Sequence, residues 1–166
     1  MTPLETAAAA LSDRLRERND TLALAESCTG GLVAASLVQR AGASDLLAGS
    51  FVTYQTASKR AWLGVPRATL DRYGAVSPEV AAAMVAGAAV RTPHATVAAS
   101  VTGHLGPDAP ADDDGRVVIA VRSTAGPLRI RDLRITAEAV DRGARQIAAA
   151  TLVLQAVEES LASRPS

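Results

Sequence analysis

The chain has a single cysteine, Cys28, in 166 residues. No intrachain disulfide can form, which fits a reducing cytosol and argues against a disulfide-stapled secreted scaffold. Aromatic residues are almost as scarce: Phe51, Tyr54, Trp62 and Tyr73 are the whole set. The core must therefore be built from Ala, Val, Leu and Ile, and few rings are available for stacking bases. Charge of either sign is not in excess, since Lys plus Arg is 17 and Asp plus Glu is 17. Binding a polyanion needs a surplus of cations facing phosphates, so the balance argues against nucleic acid as a partner. It leaves room for a pocket that holds one phosphate. No segment approaches the roughly 20 apolar residues that span a bilayer. Met1-Thr2-Pro3-Leu4-Glu5 lacks the basic-then-apolar signature of a signal peptide. These absences predict one cytoplasmic domain over residues 1–166, with its core at about 4–162 and no membrane partner.

Lysine is the last scarcity. Sixteen of the basic residues are Arg, and Lys59 is the only lysine. Arginine is effectively always charged, whereas burial can drive a lysine toward neutrality. One side chain able to act as a base has been kept, although arginine-favouring codon usage would leave the same trace.

What is present reads as alternating helices and short apolar strands. Helical spacing covers residues 6–18, and residues 22–25 form a buried strand ending at Glu26-Ser27-Cys28-Thr29-Gly30-Gly31. A helix resumes at Leu32, residues 41–44 form a loop, and residues 49–54 a second strand. Residues 56–63 read as a short helix stopped by Gly64, with Pro66 beyond it. Ser77 and Pro78 open a helix that runs to about Arg91. Residues 95–101 form a third strand halted by Thr102-Gly103-His104, followed by a polar loop over 107–115. Residues 116–123 and 128–136 make a hairpin turning at 124–127. Residues 140–161 form a long helix, and 163–166 a frayed tail. This order predicts a three-layer α/β/α sandwich with a mixed, mostly parallel sheet of about five strands. Ligands on such folds bind beyond the carboxyl ends of the strands, which gathers the groups after Ala25, Thr53 and Val101 into one cleft.

Several residues there carry chemistry. A helix starting after Ser27 offers unpaired N–H groups and a positive dipole end to a phosphate or an oxyanion. Ser27 sits on that turn as a nucleophile would; read alone, the motif is more simply an N-cap with turn glycines. Cys28 is a rival nucleophile, but most free cysteines are buried small residues. A serine needs a base. His94 and His104 lack a marked acidic partner, whereas a desolvated Lys59 meets the need, with Tyr54 close to it in sequence. Taken singly, Tyr54 and Lys59 also read as a packed ring and a surface cation. Thr102 and Gly103 could present a hydroxyl and an N–H above Ser27. Arg142 and Arg145 could reach a phosphate or pair with acids such as Glu138 and Asp141. Asp112 to Asp114 lack the alternation of a calcium loop and read as a solvated segment, so no metal is expected.

Taken together, the segments resemble a known family. Ala25-Glu26-Ser27-Cys28-Thr29-Gly30-Gly31 is similar to the opening motif of the CinA C-terminal domain family, the nicotinamide-nucleotide amidases. Gly49-Ser50-Phe51-Val52-Thr53-Tyr54 with Lys59 and Leu63-Gly64-Val65, then Gly74-Ala75-Val76-Ser77-Pro78-Glu79-Val80, then Val101-Thr102-Gly103 with Gly106-Pro107, resemble its later blocks in order. The resemblance implies an α/β/α fold, a homo-oligomer, and the stand-alone form of a domain that some relatives carry behind another. It implies cofactor-free hydrolysis of the carboxamide of nicotinamide mononucleotide, a small pyridine nucleotide, to nicotinate mononucleotide and ammonia. Ser27 would be the nucleophile, Lys59 and Tyr54 its activators, and Thr102 a neighbour in the pocket. N–H groups near Gly30 and Gly103 would hold the oxyanion. Glu26, Thr29, Gly30, Gly31, Gly103, Arg142 and Arg145 would line the substrate. The loop after Gly103 departs from the family pattern: it is short and acidic where double glycine and a lysine are usual. Three aspartates there would repel a phosphate, which motivates a second expectation, a domain that binds a nucleotide or a protein without turnover.

Overall fold

The first helix, α1 (Pro3–Arg18), starts at a reciprocal cap written in the sequence. The Thr2 hydroxyl accepts the Glu5 N–H at 3.2 Å, and the Glu5 carboxylate accepts the Thr2 N–H at 2.7 Å. There follow β1 (Leu22–Glu26), α2 (Leu32–Val38), a 3₁₀ turn (Ala43–Asp45), β2 (Leu47–Val52), α3 (Thr56–Leu63), α4 (Arg67–Tyr73) and α5 (Pro78–Arg91). The chain then forms β3 (Val97–Gly103), β4 (Arg116–Ser123), β5 (Arg129–Arg134) and α6 (Arg142–Ala162). This computed structural model describes residues 1–124, 126–135 and 141–163. Ala125 of the expected hairpin turn, residues 136–140 with Glu138, and residues 164–166 lie outside the described residues.

The five strands are ordered β2-β1-β3-β4-β5. β1 pairs in parallel with β2 and β3, while β4 is antiparallel to both β3 and β5. One strand is thus reversed in an otherwise co-directional sheet, with helices on both faces: an α/β/α sandwich. Glu26 lies opposite Val52 and Val101, so the carboxyl ends of β1, β2 and β3 share one edge of the sheet.

The pleat divides the strand side chains between the two faces. Leu22, Leu24, Val97, Val101, Val117, Ile119 and Val121 face the layer made by α1, α2 and α6, where Leu11, Leu15, Val153 and Leu154 fill the core. On the other face Ala23, Ala98 and Ala120 meet Ala81 and Val85 of α5, and Ala25 meets Leu63 and Met84. Small residues on both sides let α5 approach closely, and the Ser100 hydroxyl donates to the Ala81 carbonyl at 2.7 Å. α3 crosses α5 at Gly87, where an added Cβ would lie 2.1 Å from the Leu63 carbonyl oxygen. α5 and α6 bury most of their apolar residues against the sheet, with Val90 and Ile147 exposed on them.

Three details differ from the sequence reading. α4 was not anticipated: only Leu70 of its seven residues is buried, too little to show a period. Thr102 and Gly103 do not halt β3 but belong to it, paired with Val118 and Val117. β2 ends at Val52, leaving Thr53 and Tyr54 beyond the strand. Edge strand β5 is rich in charge, with Arg129, Arg131, Asp132 and Arg134, a composition that discourages pairing with another sheet edge. Among the described residues no helix is long and apolar enough to cross a membrane.

Candidate active site

Ser27 is the first residue past β1, and its N–H is still held by the Val101 carbonyl at 3.1 Å. Next door, the Thr53 N–H continues the β1–β2 ladder to the Glu26 carbonyl at 2.8 Å. The chain then turns into α3, which carries Lys59 back beneath both strand ends. Lys59 Nζ donates to Ser27 Oγ at 2.7 Å and to the Thr53 carbonyl at 2.9 Å. Both side chains are buried, Ser27 at 7% and Lys59 at 2% exposure. Burial pushes the Lys59 ammonium down to about 8 from its ordinary 10.5, and no carboxylate among the described residues offsets it. The pair is therefore an alcohol in contact with an amine whose charge is easily lost.

The rest of the turn does something the sequence reading did not foresee. Glu26 is fully buried, and its carboxylate takes five donors: Thr29 Oγ1 at 2.7 Å, the N–H groups of Gly31, Val33 and Ala34 at 3.1, 3.1 and 2.9 Å, and Ser50 Oγ at 3.2 Å. The start of α2, expected to receive a phosphate or oxyanion, already holds the protein's own carboxylate. Glu26 and Thr29 are thereby corrected from substrate ligands to parts of an internal cap. Gly30 and Gly31 adopt φ of 62° and 96°, which the turn requires, and their N–H groups go to the Ser27 carbonyl and to Glu26. Gly30 is thus not a free oxyanion donor. The N–H group of Thr29 has no backbone acceptor among the described residues, and that of Cys28 reaches its own thiol.

The other expected members are distributed as follows. Thr102 is buried and donates its hydroxyl to the Ala75 carbonyl at 2.8 Å; it pins the segment before α5 and makes no hydrogen bond to Ser27. Gly103 is there for space, since a Cβ would sit 2.8 Å from the Arg116 carbonyl and 3.1 Å from Cys28 Sγ. Tyr54 is 54% exposed, and its hydroxyl accepts from Arg142 at 2.6 Å; it is hydrogen-bonded to neither Ser27 nor Lys59. Cys28 is buried, and desolvation pushes its thiol up to about 12, so it stays protonated and is not the rival nucleophile. His94 lies ahead of β3, at the far edge of the sheet from Ser27.

Arg142 and Arg145 open α6 beside a cleft of about 570 Å³. Arg142 also donates to the Gly106 carbonyl, bridging that loop to Tyr54. Arg145 is clamped by both oxygens of Asp114, at 2.6 and 3.0 Å. Asp114, which the sequence reading placed in a solvated loop, is thus the missed partner. The expected one, Asp141, instead caps α6 by accepting the Ala144 N–H at 2.8 Å. Asp113 similarly pairs with Arg116, and Arg134 donates to the carbonyls of Asp112 and Asp114. One turn along α6, Gln146 donates to the Cys28 carbonyl at 3.1 Å, which joins the cleft wall to the Ser27 turn.

Fold and contacts together define a class: an α/β/α domain with a buried serine–lysine pair at the carboxyl edge of its parallel strands. Comparison with known proteins makes this particular. A model of the CinA C-terminal domain matches residues 4–161, and the chain belongs to that family. It is 38% identical over 165 residues to a CinA-like protein of Myxococcus xanthus, covering 98% of this chain and 38% of that protein. A CinA-like protein of Chlorobium phaeovibrioides is 45% identical over 117 residues, 69% of this chain and 27% of that one. The chain thus spans well under half the length of these relatives. Among solved structures, competence/damage inducible protein CihA from Agrobacterium tumefaciens superposes with a TM-score of 0.90 at 32% identity, covering 98% of each chain. The competence damage-inducible protein A of Klebsiella pneumoniae gives 0.90 at 28% identity, covering 98% of this chain and 99% of that one.

Proposed function

We propose that this domain is an amidohydrolase that releases ammonia from the carboxamide of nicotinamide mononucleotide or a close relative. The observation that carries the reading is the 2.7 Å contact between Ser27 Oγ and Lys59 Nζ, buried and without a carboxylate to fix the lysine's charge. An uncharged Lys59 keeps one N–H on the Thr53 carbonyl and turns its lone pair to the Ser27 hydroxyl. Lys59 takes the proton as Ser27 Oγ bonds to the amide carbon, and the carbonyl electrons move to oxygen. The N–H of Cys28, the residue after the nucleophile, with that of Thr29 beside it, replaces those of Gly30 and Gly103 as oxyanion donor. The Lys59 ammonium then protonates the departing nitrogen, ammonia leaves, and water opens the acyl-serine with Lys59 again as base. In the variant without an acyl intermediate, the pair activates water directly; trapping an adduct on Ser27 separates the two. Assembly into a homo-oligomer belongs to the same proposal.

A second reading, a domain that binds a nucleotide or a protein without turnover, rests on the acidic loop after Gly103, whose Asp113 and Asp114 pair with Arg116 and Arg145. Ammonia release from nicotinamide mononucleotide by the wild-type chain, against Ser27→Ala and Lys59→Ala, decides between them. Release that both substitutions abolish supports the amidase; equal inertness of all three across related pyridine amides would sink it.

A further inference from the structure

The cleft at the start of α6 presents the carboxylates of Asp108, Asp114 and Asp141 against the guanidinium groups of Arg142 and Arg145. Its lining is thus negative by one charge, and neither arginine is idle. Arg145 spends both terminal nitrogens on Asp114, with a further bond to the Leu105 carbonyl at 3.3 Å. Arg142 spends its own on Gly106 and Tyr54. The main chain around Asp114 is held as well. Arg134 holds the carbonyls of Asp112 and Asp114, and Arg116 holds Asp113, so the loop is pinned on both sides of the pair. Gly106, with φ of 63°, leaves the space that the pair fills: a Cβ there would lie 3.0 Å from both Arg145 and Asp114. A bidentate carboxylate occupies the fork that would otherwise receive a phosphate, and a phosphate entering here brings about −1.5 to −2 charges into a lining already negative.

Resting on the amidase reading of the Ser27–Lys59 pair, to which Tyr54–Arg142 and Gln146–Cys28 join this cleft, we infer that Asp114 sets the substrate class: a pyridinium carboxamide without a phosphate, the cationic nucleoside rather than its nucleotide. The sugar hydroxyls meet the carboxylates and carbonyls of this cleft, and nothing has to displace Asp114 from Arg145. A phosphomonoester has to break that pair before it gains a cation.

The test compares kcat/KM for ammonia release from nicotinamide riboside and nicotinamide mononucleotide at one ionic strength. The expected wild-type preference is for the nucleoside, by about tenfold or more, the ratio that corresponds to losing one good ionic contact. Asp114→Ala should move the ratio toward the nucleotide by a similar factor through KM, and adding Arg145→Ala should abolish that gain. Thermal melts of both variants establish that they fold. A wild-type preference for the nucleotide, or a ratio that Asp114→Ala leaves in place, overturns the inference and spares the amidase. Calorimetric titration with the same two compounds covers an inactive protein. Selective binding of the nucleoside without turnover overturns the amidase and keeps the role of Asp114; binding of neither compound overturns both.

Discussion

The two ends of the candidate site handle charge in opposite ways. Around Ser27 the protein removes it: Lys59 is buried, has two neutral acceptors and no acid, and its ammonium is pushed down to about 8. Beyond Tyr54 the protein gathers charge and neutralises it in place, with Asp114 across Arg145 and Asp113 across Arg116. The difference separates reactivity from selection. A base has to exchange a proton near neutral pH, which desolvation provides and a fixed counter-charge would prevent. A specificity surface has to decide which charge enters, which fixed ion pairs do well. Glu26, next to Ser27, is a third case: a buried side chain whose carboxyl oxygens take five donors from the protein itself.

The largest effect expected from breaking this contrast is on the reaction. Ser27→Ala and Lys59→Ala should each lower kcat by about 10³-fold or more, and the double variant should fall little further, because the two groups act as a unit. Steady-state ammonia assays measure this; near-additive losses would mean the two act separately. Next comes Glu26→Ala, which strips five donors of their acceptor in the interior. It should cost roughly 3–4 kcal/mol of unfolding free energy, read by denaturant titration, and a loss under 1 kcal/mol would show that water replaces the cap. Third, log kcat/KM should rise with unit slope as pH approaches about 8 and level off above it, since the neutral amine is the working form. A flat profile from pH 6 to 9 would contradict an uncharged base.

The smallest effect sharpens the comparison most. The folded pKa of Lys59 lies below its unfolded value of 10.5, so between about 8 and 10.5 the unfolded chain binds the extra proton. Stability therefore rises with pH through that window, and the buried charge is a standing penalty below it. Lys59→Met removes the penalty together with two hydrogen bonds, and should stabilise the fold at pH 7 by on the order of 1–2 kcal/mol while abolishing turnover. Unchanged or lower stability would mean that the two hydrogen bonds outweigh the desolvation.

Much of the architecture was legible in the residues. Alternation of short apolar runs with helical spacing predicts the sandwich, and Pro78 after Ser77 predicts the start of α5. Ser27 and Lys59 could be nominated because a serine on a strand-to-helix turn needs a base, the only lysine is a side chain that burial can neutralise, and the family resemblance picks out the same two residues. The remainder was hidden for physical reasons. A turn that seats a foreign anion and a turn that seats its own carboxylate have the same composition, so Glu26 could not be told from a ligand without knowing which way it points. Carbonyls such as those of Thr53 and Ala75 occur at every position, so no residue type marks them. The sequence offers Arg145 acids both along the chain and in the loop, and only the folded loop brings Asp114 to it.

The crossing of α3 over α5 has a bearing on chemistry. Lys59 lies one turn before the Leu63 carbonyl that rests on Gly87. The amine is therefore aimed from behind, by a spot of bare main chain on a helix that touches no reactant. A single methyl there would act as a wedge, lifting the whole segment and tilting the nitrogen away from the serine oxygen. Reactivity in this domain is thus exposed to damage from a place where an inspection confined to the pocket would never look.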